Sequence, residues 1–486
     1  MDAKPALCAI ILAGCCALAR GEAPLYAHRE KPPVSFSWLD AVQREVPALG
    51  HERGKRWPMI LWQAGPFEPQ TPEIYKALLA RGLTQHITLD EKMIPIAKAL
   101  QDAGSPVIMM QGEGGTWPAS LAGDPKGDPK EWGHQFDPGY TPKGPAHACP
   151  LLTKGWETNA DNIRATLQKF KDAGVTVDAV WMDWEGDPAN GGPERYEQAL
   201  HCQRCRAMLP PGVLADEKSF DDYSWRRYME LTGAYLAAPV AEIFPGCSTT
   251  NWHAVVSTQA RPVRTWLDRV ICPDVPPFFT ASNPVAYGNT VSLGLWKPQF
   301  KFDREHVDQF YTHFLLREVS DDTANRLLWT SGRTSIPWVC RWCPDNENPK
   351  LPIMTRERYR EVLRHLWLRG ISGMQIFNPL RTGYEAMAVD EVKDAAAIYD
   401  EMLEYRDFLD HGLPLSLDVP KIQDDGVVWS GLRLGDRAIV RTFKQGGGAA
   451  KVTIEPWPGK KITLAATPAG KTYVLALKDG KARISE

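Results

Sequence analysis

The 486-residue chain has no excess of either charge: 56 Lys and Arg against 59 Asp and Glu leave a formal net charge of −3. It has no block of basic residues, which excludes the electrostatic footprint of a nucleic-acid binder and any grip on an anionic membrane surface. No H-x-H or H-E-x-x-H motif occurs, and only His86 and His253 fall near predicted strand ends. A metal-dependent deacetylase or amidohydrolase would therefore lack its ligands. No Gly-rich phosphate loop follows the first predicted strand, since "QAGPFEP" does not fit one, and this counts against a doubly wound open sheet. Internal repeats and low-complexity tracts are missing as well, and beyond the N-terminus no apolar run approaches transmembrane length. No cofactor and no catalytic metal is implied.

Aromatic residues are what the chain has in quantity: 18 Trp, 14 Tyr and 15 Phe, with Trp the most over-used. Indole faces serve sugar rings as stacking surfaces, and a large core also consumes them. Trp117, Trp132 and Trp156, near a long Gly/Pro/Trp-rich insertion at 115–155, are candidates for a sugar platform, whereas Trp338 reads as core. The N-terminus carries "PALCAIILAGCCALA", too short to span a bilayer comfortably and typical of an export signal. "LAGC" resembles a lipobox that would make Cys15 a lipid-anchored first residue, and cleavage after Ala19 or Ala23 is the competing reading. The chain is thus expected to be exported: periplasmic, extracellular or an outer-membrane lipoprotein.

Of 10 cysteines, Cys8, Cys15 and Cys16 lie in this signal. The other seven, Cys149, Cys202, Cys205, Cys247, Cys272, Cys340 and Cys343, are read as disulfides or free thiols. Two C-x2-C pairs, "HCQRC" and "CRWC", leave a structural zinc or a redox pair as alternatives. "HAC" at 147–149 is the nearest complement to Cys202 and Cys205, and no clean set of four ligands emerges.

Behind a signal at 1–23 and a leader at 24–56, short apolar runs alternate with amphipathic stretches. Eight runs are expected to be strands, beginning at Pro58, Leu83, Pro106, Val177, Cys247, Arg269, Ile336 and Ile371. "ADNIRATLQKFKDAG" and "TRERYREVLRHLWLRG" are helices that end in a glycine cap. Eight strand–helix units predict a (β/α)8 TIM barrel over 57–412. From 413 to 486 apolar and polar residues alternate between Gly-rich turns, which predicts a small antiparallel β-sandwich domain without catalytic groups.

The fourth run, "VDAVWMDWEGDP", ends in two carboxylates. On a strand Trp181, Asp183 and Glu185 share one face, and carboxylates about 6–7 Å apart repel, so one of them keeps its proton more readily. The outer face of a barrel strand packs on helices, so the pair belongs at the barrel mouth. A protonated acid beside an ionised one suits cleavage of a glycosidic bond, with Glu185 as general acid. Asp183 is then the nucleophile or the group that orients the substrate, and Asp274, ending the sixth run, is the candidate third acid. The same strand-end logic nominates Gln63, Gln111, Glu113, Trp181, Asn251, Trp252, Arg341, Gln375 and Asn378 for substrate binding. A structural ion pair, with Arg341 for example, is the plain alternative for Asp183 and Glu185. A non-catalytic carbohydrate-binding lipoprotein on a barrel scaffold is the alternative for the whole chain.

Strand-end Asp183-Trp184-Glu185 resembles the signature of the hyaluronidase family of barrel glycosidases. There the Glu is the acid and the Asp positions the substrate acetamido group. "FPGC" at 244–247 is similar to a Pro-x-Cys element of that family, although Gly186-Asp187-Pro188 and Cys247-Ser248-Thr249 depart from its continuations. "VWMDWE" also resembles the W-x-D motif of retaining α-glycosidases, whose fourth-strand Asp is a nucleophile. Both resemblances imply a barrel glycoside hydrolase acting on a polysaccharide or oligosaccharide.

Overall fold

The computed structural model describes residues 38–62, 71–112, 133–143, 149–183, 192–253, 279–287, 304–327, 334–341, 353–377, 385–422 and 424–485. In chain order the elements are α1 (Trp38–Glu45), β1 (Met59–Leu61), α2 (Pro72–Leu79), β2 (Leu83–Thr88), α3 (Ile94–Asp102), β3 (Ile108–Gly112), α4 (Lys154–Asp172) and β4 (Ala179–Asp183). After these come α5 (Gly192–Leu200), α6 (Gln203–Met208), α7 (Glu217–Thr232), α8 (Ala238–Ile243), β5 (Ser248–His253), β6 (Ala281–Tyr287) and α9 (Val307–Leu327). The series ends with β7 (Thr334–Ser335), β8 (Trp338–Cys340), α10 (Arg356–Trp367), β9 (Gln375–Ile376), α11 (Glu385–Leu403) and α12 (Arg406–His411). The strands hydrogen-bond in the order β5-β4-β3-β2-β1-β9-β8-β6-β7, and β5 also pairs with β6. Parallel pairing with helices between strands makes this a (β/α)8 barrel.

Seven of the eight expected runs hold a barrel strand, including the weakly apolar "CSTTNWH" as β5. The sixth, from Arg269, lies outside the described residues, and the strand that pairs with β8 is Ala281–Tyr287, "ASNPVAY". A mid-strand proline argues against a central strand. Here Pro284 has no N–H to offer, and the Asn283 side-chain amide beside it donates to the Ile336 carbonyl. Asp274, in the run from Arg269, lies outside the described residues as well.

Contacts divide the chain into two compact units: Met1–His86 with Ala103–Ser105 and Asn283–Glu486, and Ile87–Asp102 with Pro106–Ser282. The second holds β3, β4 and β5 with α4 to α8. Its α4 begins earlier than the sequence suggests and buries Trp156, Ile163, Leu167 and Phe170, so Trp156 is core and no platform.

The first unit holds β1, β8, β9 and the C-terminal strands β10 (Leu413–Pro414), β11 (Val427–Leu434), β12 (Arg437–Lys444), β13 (Ala450–Trp457), β14 (Lys460–Ala466), β15 (Lys471–Lys478) and β16 (Lys481–Ile484). These form an antiparallel sheet β10-β11-β12-β15-β16 and a hairpin β13-β14. Ala438, Val440, Ile454, Trp457, Leu464, Tyr473 and Leu475 make a common core between the two.

Helix α10 is capped by Thr355, whose side chain accepts from the Arg358 N–H, and is followed by Gly370 at φ 86°. A Cβ at 370 would come within 2.9 Å of Pro414 in β10, so glycine is required for conformation and for space. Arg441 of β12 forks onto Glu361 of α10 at 2.7 and 2.6 Å, and His365 approaches the same carboxylate at 3.4 Å. Fully buried Arg369 donates to Ser320 of α9, to Ser430 of β11 and to the Asp418 carbonyl. Burial alone would raise Glu361, but His365 and Arg441 outweigh it and hold the carboxyl down at about 2.

Candidate functional site

Parallel register sorts the strand residues of the first unit into two rows. One row is Ile60, Thr84, Gln375, Trp338 and Val285; the other is Leu61, Gln85, Ile376, Val339 and Ala286. Gln85 donates to the Tyr75 hydroxyl of α2 at 2.8 Å, which marks the second row as the helix-packed face. Trp62, His86, Asn283, Tyr287 and Phe377 share the parity of the first row.

These residues form an aromatic wall with polar groups set in it. Trp62 contacts His86 at 5.0 Å, Trp338 at 5.2 Å and Phe377 at 5.6 Å between ring centroids, and Tyr287 stacks on Phe377 at 4.8 Å. Trp338 Nε1 donates to Asn283 Oδ1, and Asn283 Nδ2 also donates to Gln375 Oε1 at 3.3 Å. Gln375 Nε2 is buried and has no hydrogen-bond partner among the described residues. Burial pushes the His86 imidazole down to about 3, against a backbone hydrogen bond from Leu61 that favours the charged form, so the ring is neutral at physiological pH.

In the second unit the rows are Met110, Trp181 and Thr250 against Gln111, Met182 and Asn251, and Gly112 pairs with Asp183 at the end of β4. Gln111 donates to Asn159 of α4 at 3.3 Å, which marks the row of Gln111 and Asn251 as the helix-packed face. Trp181 is buried on the opposite row, with which position 183 shares its parity. A glycine beside Asp183 keeps the neighbouring position free of a side chain.

The expected substrate residues thus separate. Gln375 and Trp181 lie on rows that face away from the helices. Gln111 and Asn251 share the helix-facing row, a correction that follows from the one-residue parity of a strand. Arg341 is also turned to helices: its N–H donates to Glu391 of α11 at 2.7 Å and its guanidinium to the Met354 carbonyl at 3.2 Å. Trp252 lies within β5. Gln63, Glu113, Glu185, Asp274 and Asn378 lie outside the described residues. Trp62, Asn283, Tyr287 and Phe377 were missed because each stands at a strand end or in an unrecognised strand, and His86, within β2, was weighed only as a metal ligand. Two-residue periodicity carried on from Ile60, Thr84 and Gln375 would have found three of them.

A further group lies in the second unit. His134, Cys149, Cys202 and Cys205 are all buried, with ligand atoms within 4.8 Å of one another. The sequence suggests His147 in this role, which lies outside the described residues, and gives no sign of His134.

No protein-family model and no curated protein matches the chain. Solved structures do. They include α-L-fucosidase isoenzyme 2 from Paenibacillus thiaminolyticus, at 10% identity and a TM-score of 0.43, covering 74% of this chain and 51% of that one. A GH42 β-galactosidase from G. stearothermophilus matches at 9% identity and 0.45, covering 74% and 58%. A maltogenic α-amylase from Thermotoga neapolitana matches at 10% and 0.38, covering 81% and 79%. The chain spans about half the length of the fucosidase. At such identities and scores these glycoside hydrolases decide nothing about the chemistry of this chain, and the barrel rests on its own strand order.

Proposed function

We propose that the chain is an exported glycoside hydrolase that cleaves glycosidic bonds in a polysaccharide or glycan, with Glu185 as general acid. Asp183 is its nucleophile or the carboxylate that orients the substrate. The observation that carries this reading is the position of Asp183: it ends β4 of a parallel barrel, on the parity of buried Trp181 and beside Gly112. Strand C-terminal ends are where barrel enzymes keep their chemistry. In the first unit, half-buried Trp62 and Phe377 are rings of the kind that suit an uncharged, hydroxyl-rich ligand, with Trp338 and Tyr287 buried behind them. Apolar faces stack on the ring and neutral groups bond its hydroxyls.

Asp274 is the candidate third acid, needed where the substrate lacks an N-acetyl group. A nucleophile would stand about 5–5.5 Å from the Glu185 carboxyl and an inverting base about 6.5–9.5 Å away. A measured separation well beyond about 10 Å would remove it and leave Asp183 or the substrate's own acetamido group in that role. Export, with Cys15 as a lipid anchor or cleavage after Ala19 or Ala23, rests on the N-terminal sequence. No described helix is long and apolar enough to cross a membrane.

The test is a polysaccharide panel with product anomers read by NMR, on the wild-type chain and on Glu185→Gln. Glycan binding without product from the wild type would favour the carbohydrate-binding alternative. Turnover that survives Glu185→Gln on a poor leaving group would remove Glu185 from its role.

A further inference from the structure

We propose that His134, Cys149, Cys202 and Cys205 hold one structural Zn²⁺, a site independent of the glycosidase reading. The spacing is that of ligands around an absent centre. Cys149 Sγ and Cys205 Sγ are 3.8 Å apart, and Cys205 Sγ lies 3.5 Å from His134 Nδ1. A tetrahedron with Zn–S near 2.3 Å and Zn–N near 2.0–2.1 Å has S···S edges of about 3.8 Å and S···N edges of about 3.6 Å. A disulfide would need the sulfurs at about 2.05 Å. Three thiolates and an imidazole are a soft donor set that selects zinc over the hard cations. Four protein ligands, all buried, leave no open position for a reacting water, so the metal's role is to fix the fold.

The backbone is arranged for a charged sulfur. Cys202 stands immediately before α6, and its Sγ accepts from the Cys205 N–H at 3.5 Å and the Gln135 N–H at 3.3 Å. Such donors stabilise a thiolate and orient it, as the outer-shell partners of metal ligands do. A bridge between Phe136 and Cys202, with Gln203 donating to the Gln135 carbonyl at 2.8 Å, pairs the two ligand segments. Arg206 forks onto Asp137 at 2.8 and 2.6 Å, and Tyr140 stacks on His201 at 4.0 Å, both clamping the same pair from outside. Around the cysteines Ala199 and Phe220 form a small satellite core.

The site ties two separate stretches of chain. His134 and Cys149 belong to the chain leaving β3, and Cys202 and Cys205 to the chain leaving β4. Zinc would fasten the two segments that follow the candidate catalytic strands, and closing them through a metal lowers the entropy of the unfolded chain.

The test uses the full chain, purified without a metal-chelating tag and dialysed against EDTA. Mass-spectrometric metal analysis should find about one zinc per chain. Cobalt exchanged for it should give the visible d–d bands of a tetrahedral site, with thiolate charge transfer in the near ultraviolet. Cys202→Ser and His134→Ala should lose most of the metal, while Cys247→Ser and Cys340→Ser, buried thiols elsewhere, should keep it. Glu185→Gln should also keep it, which separates this site from the hydrolase proposal. If the ligand variants fail to fold, metal content and the cobalt spectrum of the wild type still decide. A wild-type chain free of zinc, with Cys149 linked to Cys205 in peptide maps or all three thiols open to alkylation, would overturn the site.

Discussion

Glu361 and Arg441, closed on each other between α10 and β12, belong to a seam where a buried charge meets its opposite. The row that carries Trp62, His86, Asn283, Trp338 and Gln375 belongs to the same unit and handles polarity differently. Its buried polar groups are amides, an indole, a neutral imidazole and the Thr84 hydroxyl. Burying a carboxylate and a guanidinium costs several kcal/mol each, and only excellent geometry offsets that. The seam has the geometry and therefore specifies how the C-terminal sheet docks on its helix. The strand row bears no such cost, and in Gln375 Nε2 it keeps a donor free of any partner among the described residues. One region pairs opposite charges; the other links neutral polar groups to one another and leaves the Gln375 Nε2 donor over.

The largest effect that would sharpen this contrast is on chemistry. Glu185→Gln should fold with an unchanged melting temperature and lose roughly 10²–10⁴-fold in hydrolysis, the usual cost of removing a general acid. Asp183→Asn should lose as much or more. A mild effect at Asp183 would make it structural and move β4 to the same class as the seam.

Next is Arg441→Ala, which strips buried Glu361 of its forked partner and leaves it only Arg364 at 3.2 Å and His365 at 3.4 Å, and should cost up to about 3–5 kcal/mol of stability. Chemical denaturation measures it, and turnover per folded molecule should not change. The pair also has a pH signature. Glu361 is held at about 2, below its ordinary 4.5, so its contribution is complete above 4.5 and is lost as pH falls through about 2. In Arg441→Ala that acid-side loss should begin nearer 4.5. An unaltered acid limb would mean that the seam draws little from this pair.

Glu391 tests the comparison from the other side. It is as buried as Glu361, but its partners are the Arg341 N–H and the Tyr359 hydroxyl at 3.1 Å, and burial pushes it up to about 7 despite the opposing Arg341 charge. A raised folded pKa gives stability that is complete below 4.5 and lost as pH rises through about 7. At about 1.36 kcal/mol per pK unit the loss is on the order of 3 kcal/mol. Glu391→Gln should flatten that slope, so that the variant gains on the wild type between pH 5 and 8. Parallel stability curves across that range would show that Glu391 is compensated as fully as Glu361.

How much of this the sequence reveals follows the same division. Local patterns are legible: β13 to β15 alternate, α10 carries its cap and its terminal glycine, and β4 ends where the apolar run ends. What depends on partners brought from far along the chain is not. "ASNPVAY" looks too polar for a strand because its meaning lies in what Asn283 touches, 53 and 92 residues away at Ile336 and Gln375. Likewise Gln111 and Arg341 look like mouth residues until Asn159, Met354 and Glu391 claim them. His134 has no local signal at all, since its ligand partners are set by a bridge between Phe136 and Cys202.

The smallest expected effect is the one that bears most directly on the strand row. Trp62 touches His86, Trp338 and Phe377 by its ring and is only half-buried. Trp62→Leu keeps an apolar side chain but removes the flat face. An aromatic contact is worth about 0.5–1.5 kcal/mol beyond area burial, so KM should rise up to roughly tenfold with kcat nearly unchanged. Stability should fall by a comparable amount through the lost ring contacts, which is why the two kinetic constants must be read separately. A rise in KM at constant kcat places Trp62 on the substrate, in ground state and transition state alike. A fall in melting temperature with both constants intact would make Trp62 ordinary core, and the strand row would then differ from the seam in its chemistry but not in its purpose.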